Sequence, residues 1–134
     1  MSAWRTCLLI FIGAGVGANA RYWLAAWMTA RFGILFPWGT LAVNTVGSLL
    51  IGVLVGLLPG GDAGGLHWRL FFAVGLLGGF TTFSTFSLET LQLVRQQAWG
   101  PALAYLGGSV ILGLAACAAG LYAVRALGHG PGAS

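Results

Sequence analysis

The run GLLGGFTTFSTFSLET, Gly75 to Thr90, decides how the chain is read. All of it up to Leu88 lies inside an uncharged segment between Arg69 and Glu89 that is long enough to cross most of a bilayer. A plain lipid-facing helix would be filled with Leu, Ile and Val. This one carries Gly75, Gly78 and Gly79, then six hydroxyl residues in ten positions: Thr81, Thr82, Ser84, Thr85, Ser87 and Thr90. Phe80, Phe83 and Phe86 recur at every third residue. A glycine pair weakens a helix, since glycine costs about 1 kcal/mol relative to alanine in its interior. Hydroxyls satisfy backbone groups freed by a break. The stretch predicts a membrane helix broken between Gly78 and Thr81, whose exposed carbonyls suit a small cation. A second reading stays open: small residues let two helices pack closely while the hydroxyls bond back to their own helix.

Around this stretch the composition is that of an integral membrane protein. Of 134 residues, 58% are hydrophobic and 6% charged, where a soluble domain carries about 25% charged residues. There is no lysine, and the net charge of +4 comes from six arginines against Asp62 and Glu89. A basic stripe interleaved with aromatics is absent, so nucleic acid is not an expected partner. Cys7 and Cys117 stand in apolar segments without a CxxC pair or a histidine cluster, and read as small buried hydrophobes. His67 and His129 have no neighbours suited to enzyme chemistry, and no nucleotide-binding loop is present.

A membrane helix needs about 20 mostly apolar residues. Four segments qualify: Cys7 to Met28, Trp38 to Leu58, Leu70 to Val94 and Pro101 to Val124. They form one domain over residues 1–127, followed by a glycine-rich tail, 128–134, expected to be disordered. Pro37 and Pro101 stand at helix starts, where a missing N–H is harmless. Trp4, Trp27, Trp38, Trp68 and Trp99 fall near predicted helix ends, as an interfacial aromatic belt requires. With four spans, Arg5, Arg69 and Arg125 share one side, and Arg21, Arg31 and Arg95 the other. This three-against-three balance gives no orientation bias. It predicts insertion both ways and antiparallel association of two copies; a fixed topology set by something other than charge is the alternative. Glycines at Gly13, Gly15, Gly17, Gly47, Gly52, Gly56, Gly107, Gly108, Gly113 and Gly120 permit close helix approach.

Polar side chains in a bilayer mark pathways by default. Thr40, Asn44 and Ser48 share one face of the second helix at i, i+4, i+8, and Tyr105 and Ser109 share a face of the fourth. Phe83 and Phe86 could turn positive ring edges toward an anion; on spacing alone, ordinary core packing is the favoured reading. Asn44 needs a partner, because an unpaired amide in hydrocarbon costs several kcal/mol. Arg21 suits an anion-attracting vestibule or a snorkelling structural role. Glu89 either caps a polar track or pairs with an arginine. As rivals to an ion pathway, a proton-coupled drug exporter would have to use Glu89, and a non-transporting scaffold would give no ion flux.

Three segments carry a family resemblance. GGFTTFSTF at Gly78 to Phe86, GAGVGANARY at Gly13 to Tyr22 and WGTLAVNTVGSLLIG at Trp38 to Gly52 resemble, in order, spacing and chain length, the Fluc/CrcB family of small fluoride channels. The resemblance implies an all-α, four-helix membrane protein, its third helix broken, forming an antiparallel dual-topology homodimer. It implies two pores that export fluoride passively across the inner (plasma) membrane. By the same resemblance, backbone carbonyls of Gly78 and Thr81 would hold a structural, non-transported sodium ion. Asn44, Phe83, Phe86, Tyr105 and Ser109 would line the fluoride pore with Thr40 and Thr82, and Arg21 its vestibule. Gly113, one turn beyond Ser109, carries no hydroxyl, which leaves the far end of the fourth-helix track in doubt.

Overall fold

A computed structural model describes residues 2–58 and 63–128. Among them, every regular element is helical. α1 spans Ala3–Phe32 and α2 Trp38–Leu57. The third span opens with α3, Ala63–Trp68, widens into a π-helical segment, Arg69–Leu77, and tightens again in the single turn α4, Gly78–Phe80. After a two-residue interruption it continues as α5, Phe83–Arg95, and α6 runs over Trp99–Gly128. Four helices are long and apolar enough to cross a membrane: residues 3–32, 38–57, 65–95 and 99–128. The chain is a multi-pass membrane protein.

The expected spans are thus present, and each except the second extends a few residues further at both ends. Gly128, assigned to the tail, closes α6; residues 129–134 lie outside the described residues. The outward surface is apolar, with Phe11, Ile111 and Leu114 each more than two-thirds exposed. Such a surface is stable only against lipid or another apolar partner. Trp4, Trp27, Trp38, Trp68 and Trp99 all keep substantial exposure near helix ends.

Two helix pairs build the bundle. α2 lies along α6, and α1 lies along the π-helical segment and α4. In the π-helical segment the Gly78 N–H reaches back five residues to the Ala73 carbonyl. The close approach of α1 is a glycine effect: a Cβ on Gly17 would collide with the Leu76 carbonyl. Across the other pair, a Cβ on Gly52 would strike the Cys117 carbonyl. Gly15, Gly107 and Gly108 meet nothing within 4 Å, so these three do not serve packing within the chain.

The interruption changes the third span's partner. Before it, the π-helical segment and α4 lie on α1; after it, α5 lies on α6. There Phe86, Leu93, Ala102 and Tyr105 form the buried cluster, flanked by Phe36, Leu41, Val94 and Ala98.

Candidate functional site

Thr81 (φ −80°, ψ 158°) and Thr82 (φ −151°, ψ 117°) are extended in the middle of the third span. Extended backbone at membrane depth must find hydrogen-bond partners inside the protein. The Thr81 N–H and hydroxyl both donate to the Leu77 carbonyl, each at 2.9 Å. The Thr82 N–H donates to Asn44 Oδ1 at 2.8 Å, and Asn44 Nδ2 donates to the Thr82 carbonyl at 3.0 Å. Asn44 therefore clamps the whole peptide face of Thr82 from α2.

Thr82 is also the N-cap of α5. Its Oγ1 accepts from the Thr85 N–H at 3.2 Å and donates to Thr85 Oγ1 at 3.0 Å, with Ser84 Oγ at 3.3 Å. A threonine N-cap satisfies one of the free amides at a helix start. The six hydroxyls thus divide. Those of Ser87 and Thr90 bond back to the Phe83 and Phe86 carbonyls at 2.9 and 2.7 Å, and that of Thr81 to Leu77, while Thr82, Ser84 and Thr85 surround the break. Both readings of the hydroxyl cluster hold, each for part of it.

A cavity of about 440 Å³ opens beside the break and brings together Asn44, Gly78, Thr81, Thr82, Phe83, Phe86 and Ser109 from the expected set. Ser48, Leu77 and Val110 complete much of its wall, and among the described residues no charged side chain lines it. The Ser109 hydroxyl is buried there without a partner. Phe86 is buried with its ring centroid 5.2 Å from that of Tyr105. Phe83, 5.6 Å from Phe86, is 79% exposed, so its ring leaves the chain that carries it.

The remaining expected residues lie apart from this cavity. Arg21 and Thr40 border a second space of about 300 Å³, which also reaches Thr82 and Thr85. Tyr105 is fully buried behind Phe86. Its hydroxyl donates to Glu89 Oε2 at 2.6 Å, and Thr40 donates to Glu89 Oε1 at 3.0 Å. Glu89 is the residue whose importance sequence reasoning left undecided. It gathers hydroxyls from α2 and α6, and a third space of about 360 Å³ carries it toward Gln92 and Gln96. The available signal was a lone carboxylate inside a predicted span, which demands donors.

The fold and site together define a small multi-pass membrane protein with a mainly apolar cavity at a helix break, carrying a few hydroxyls and an amide. Comparison with known proteins places it more closely. The family described as "CrcB-like protein, Camphor Resistance (CrcB)" matches residues 8–121, and the chain belongs to that family. It is 48% identical over 118 residues to a protein of Sphingopyxis alaskensis named fluoride-specific ion channel FluC, covering 88% of this chain and 94% of the relative. A protein of the same name from Thermus thermophilus is 50% identical over 107 residues, 80% of this chain and 84% of the relative. One from Nitrobacter winogradskyi is 40% identical over 130 residues, 92% and 98% of the two chains. The relatives are named as ion channels, and the family is not one of enzymes.

Proposed function

We propose that this chain is a fluoride-specific ion channel that lowers cytoplasmic fluoride by passive export across the inner membrane. Its working form is an antiparallel homodimer with two pores. The observation that carries the reading is the uncharged cavity at the break, with hydroxyls and phenylalanine rings on its walls. Fluoride holds its water tightly, and a pore must replace that water with donors without trapping the ion. Neutral hydroxyls, an amide and ring edges do so. A fixed buried arginine in the pore would bind too firmly.

The dimer is supported by surfaces the single chain leaves bare. Phe83 projects outward beside the cavity, and a Cβ on Gly15, Gly107 or Gly108 would meet nothing within 4 Å among the described residues. A two-fold axis would bring such patches onto their own copies. The balance of arginines supports insertion both ways, as an antiparallel arrangement requires.

Fluoride is drawn toward Arg21, sheds water onto the second amide hydrogen of Asn44 and the hydroxyl of Ser109 where the break at Thr82 opens the cavity, and passes Phe83 and Phe86. Thr40 and Tyr105 act one layer behind, where both hydroxyls hold Glu89. A structural sodium ion at the dimer centre fits the backbone here. The Thr82 N–H that would normally meet the Gly78 carbonyl is taken by Asn44, and ψ of 158° turns the Thr81 carbonyl out of helical register. These are neutral oxygen donors suited to a hard cation. The Gly78 and Thr81 carbonyls would hold the ion, which would supply a fixed positive charge between two broken helices.

The test is fluoride against chloride efflux from liposomes holding the purified chain, with sodium varied. Fluoride efflux without chloride efflux is expected, falling when sodium is withdrawn. Absence of any fluoride flux rejects the channel. A reporter on the C-terminus should give signal on both sides of the membrane; one side alone rejects dual insertion.

A further inference from the structure

We propose that Ser48 is a fluoride-coordinating residue, and that its hydroxyl and that of Ser109 form a donor pair across the cavity from two helices. The inference rests on the fluoride-channel reading above.

Ser48 stands one turn beyond Asn44 on α2 and lines the same cavity as Ser109 of α6. A serine inside an apolar helix ordinarily spends its hydroxyl on the carbonyl four residues back. Ser87 and Thr81 do so here, at 2.9 Å each. Ser48 does not: among the described residues its hydroxyl has no hydrogen-bond partner. Ser109 Oγ is in the same condition, and it is buried. Two unspent hydroxyls in one apolar-walled space are costly unless something accepts from them.

The other polar groups nearby are committed. Asn44 gives its oxygen and one amide hydrogen to Thr82, and Thr82 Oγ1 serves Thr85. The free donors toward the cavity are therefore the second Asn44 amide hydrogen and the two serine hydroxyls, which suits an acceptor-only anion. Charge-assisted O–H bonds are the strong ones.

Gly113 explains why α2 supplies the second donor. It lies one turn beyond Ser109 on α6, and a Cβ at that position would sit 3.5 Å from Ser48 Oγ. The fourth helix has no side chain at this level, and the Ser48 hydroxyl faces the space that glycine leaves open. The track that α6 abandons at Gly113 continues on the facing helix.

The experiment is efflux from liposomes with the full chain. Wild type must first export fluoride; if it does not, the channel reading itself fails, before Ser48 is at issue. Given wild-type flux, Ser48→Ala should slow fluoride efflux about tenfold or more, the loss expected for one hydrogen bond to a charged group. Its melting temperature and elution volume should not change. Efflux within about twofold of wild type overturns the proposal. The double variant Ser48→Ala with Gly113→Ser moves the hydroxyl from α2 to α6 across the same gap, and should restore most of the flux. A purely structural serine would not be rescued this way, so a double variant as slow as Ser48→Ala also overturns the assignment. Should Ser48→Ala fail to fold, Ser48→Cys keeps the bulk with a weak donor. Slowed efflux then supports the proposal and a wild-type rate overturns it.

Discussion

Asn44 holds Thr82 by both ends of its peptide face, accepting from the N–H at 2.8 Å and donating to the carbonyl at 3.0 Å. One side chain from α2 thus replaces two rungs missing from the third span. This makes Asn44 part of the fold as well as part of the cavity wall.

Asn44→Ala leaves both Thr82 groups unpaired at membrane depth. A loss of about 2–4 kcal/mol in stability is expected, since each orphaned buried group costs about 1–3 kcal/mol. Asn44→Asp keeps the acceptor and loses the donor, so it should abolish fluoride efflux while leaving more of the folded state. Thermal unfolding in detergent and efflux in liposomes separate the two effects. An unchanged melting temperature in the alanine variant would deny the clamp.

Tyr105 and Thr40 both donate to Glu89, at 2.6 and 3.0 Å. Tyr105→Phe keeps the ring and removes the shorter bond to the carboxylate, a loss of about 1.5–3 kcal/mol. Denaturation of the phenylalanine variant checks this. A Glu89→Gln strain should keep its ordinary drug tolerance, whereas a proton-coupled exporter built on that carboxylate would lose it.

Phe83 and Phe86 should separate by mutation. Phe86 is buried against Tyr105, so Phe86→Ala opens a cavity and costs about 3 kcal/mol. Phe83 is 79% exposed on its own chain, and truncation should cost the single-chain fold about 0.5 kcal/mol or less. Yet Phe83→Ile should abolish fluoride flux. A Phe83 variant with undiminished efflux removes that ring from the pore.

Gly17→Ala should weaken the bundle although alanine favours helix by about 1 kcal/mol, because the new methyl meets the Leu76 backbone, which cannot swing aside. Gly107→Ala meets nothing within 4 Å, so the monomer fold should gain from it. If that variant loses dimer on size exclusion while its helicity is intact, position 107 belongs to the contact between copies.

Much of this was legible from residue types. The four spans follow from length and hydropathy, and the interruption from glycines followed by hydroxyls. The need of Asn44 for a partner was legible; the partner was not, because it is a backbone unit 38 positions away that is free only once the helix has broken. Glu89 likewise takes its donors from positions 40 and 105, and no local spacing announces them. The phenylalanine spacing did not say which rings are buried: Phe80, before the break, and Phe86, packed against Tyr105, end inside, whereas Phe83 at the first position of α5 ends outside.

The start of α5 has an electrostatic consequence. A helix carries the equivalent of roughly half a positive charge at its first turn. Because Thr81 and Thr82 end the preceding segment midway along the span, α5 places that positive pole within the low-dielectric slab instead of at its wet edge. The backbone so provides a diffuse attraction for negative charge at the depth where the cavity walls carry no ionised group, and a field spread over several amides holds an ion far less tightly than a guanidinium would.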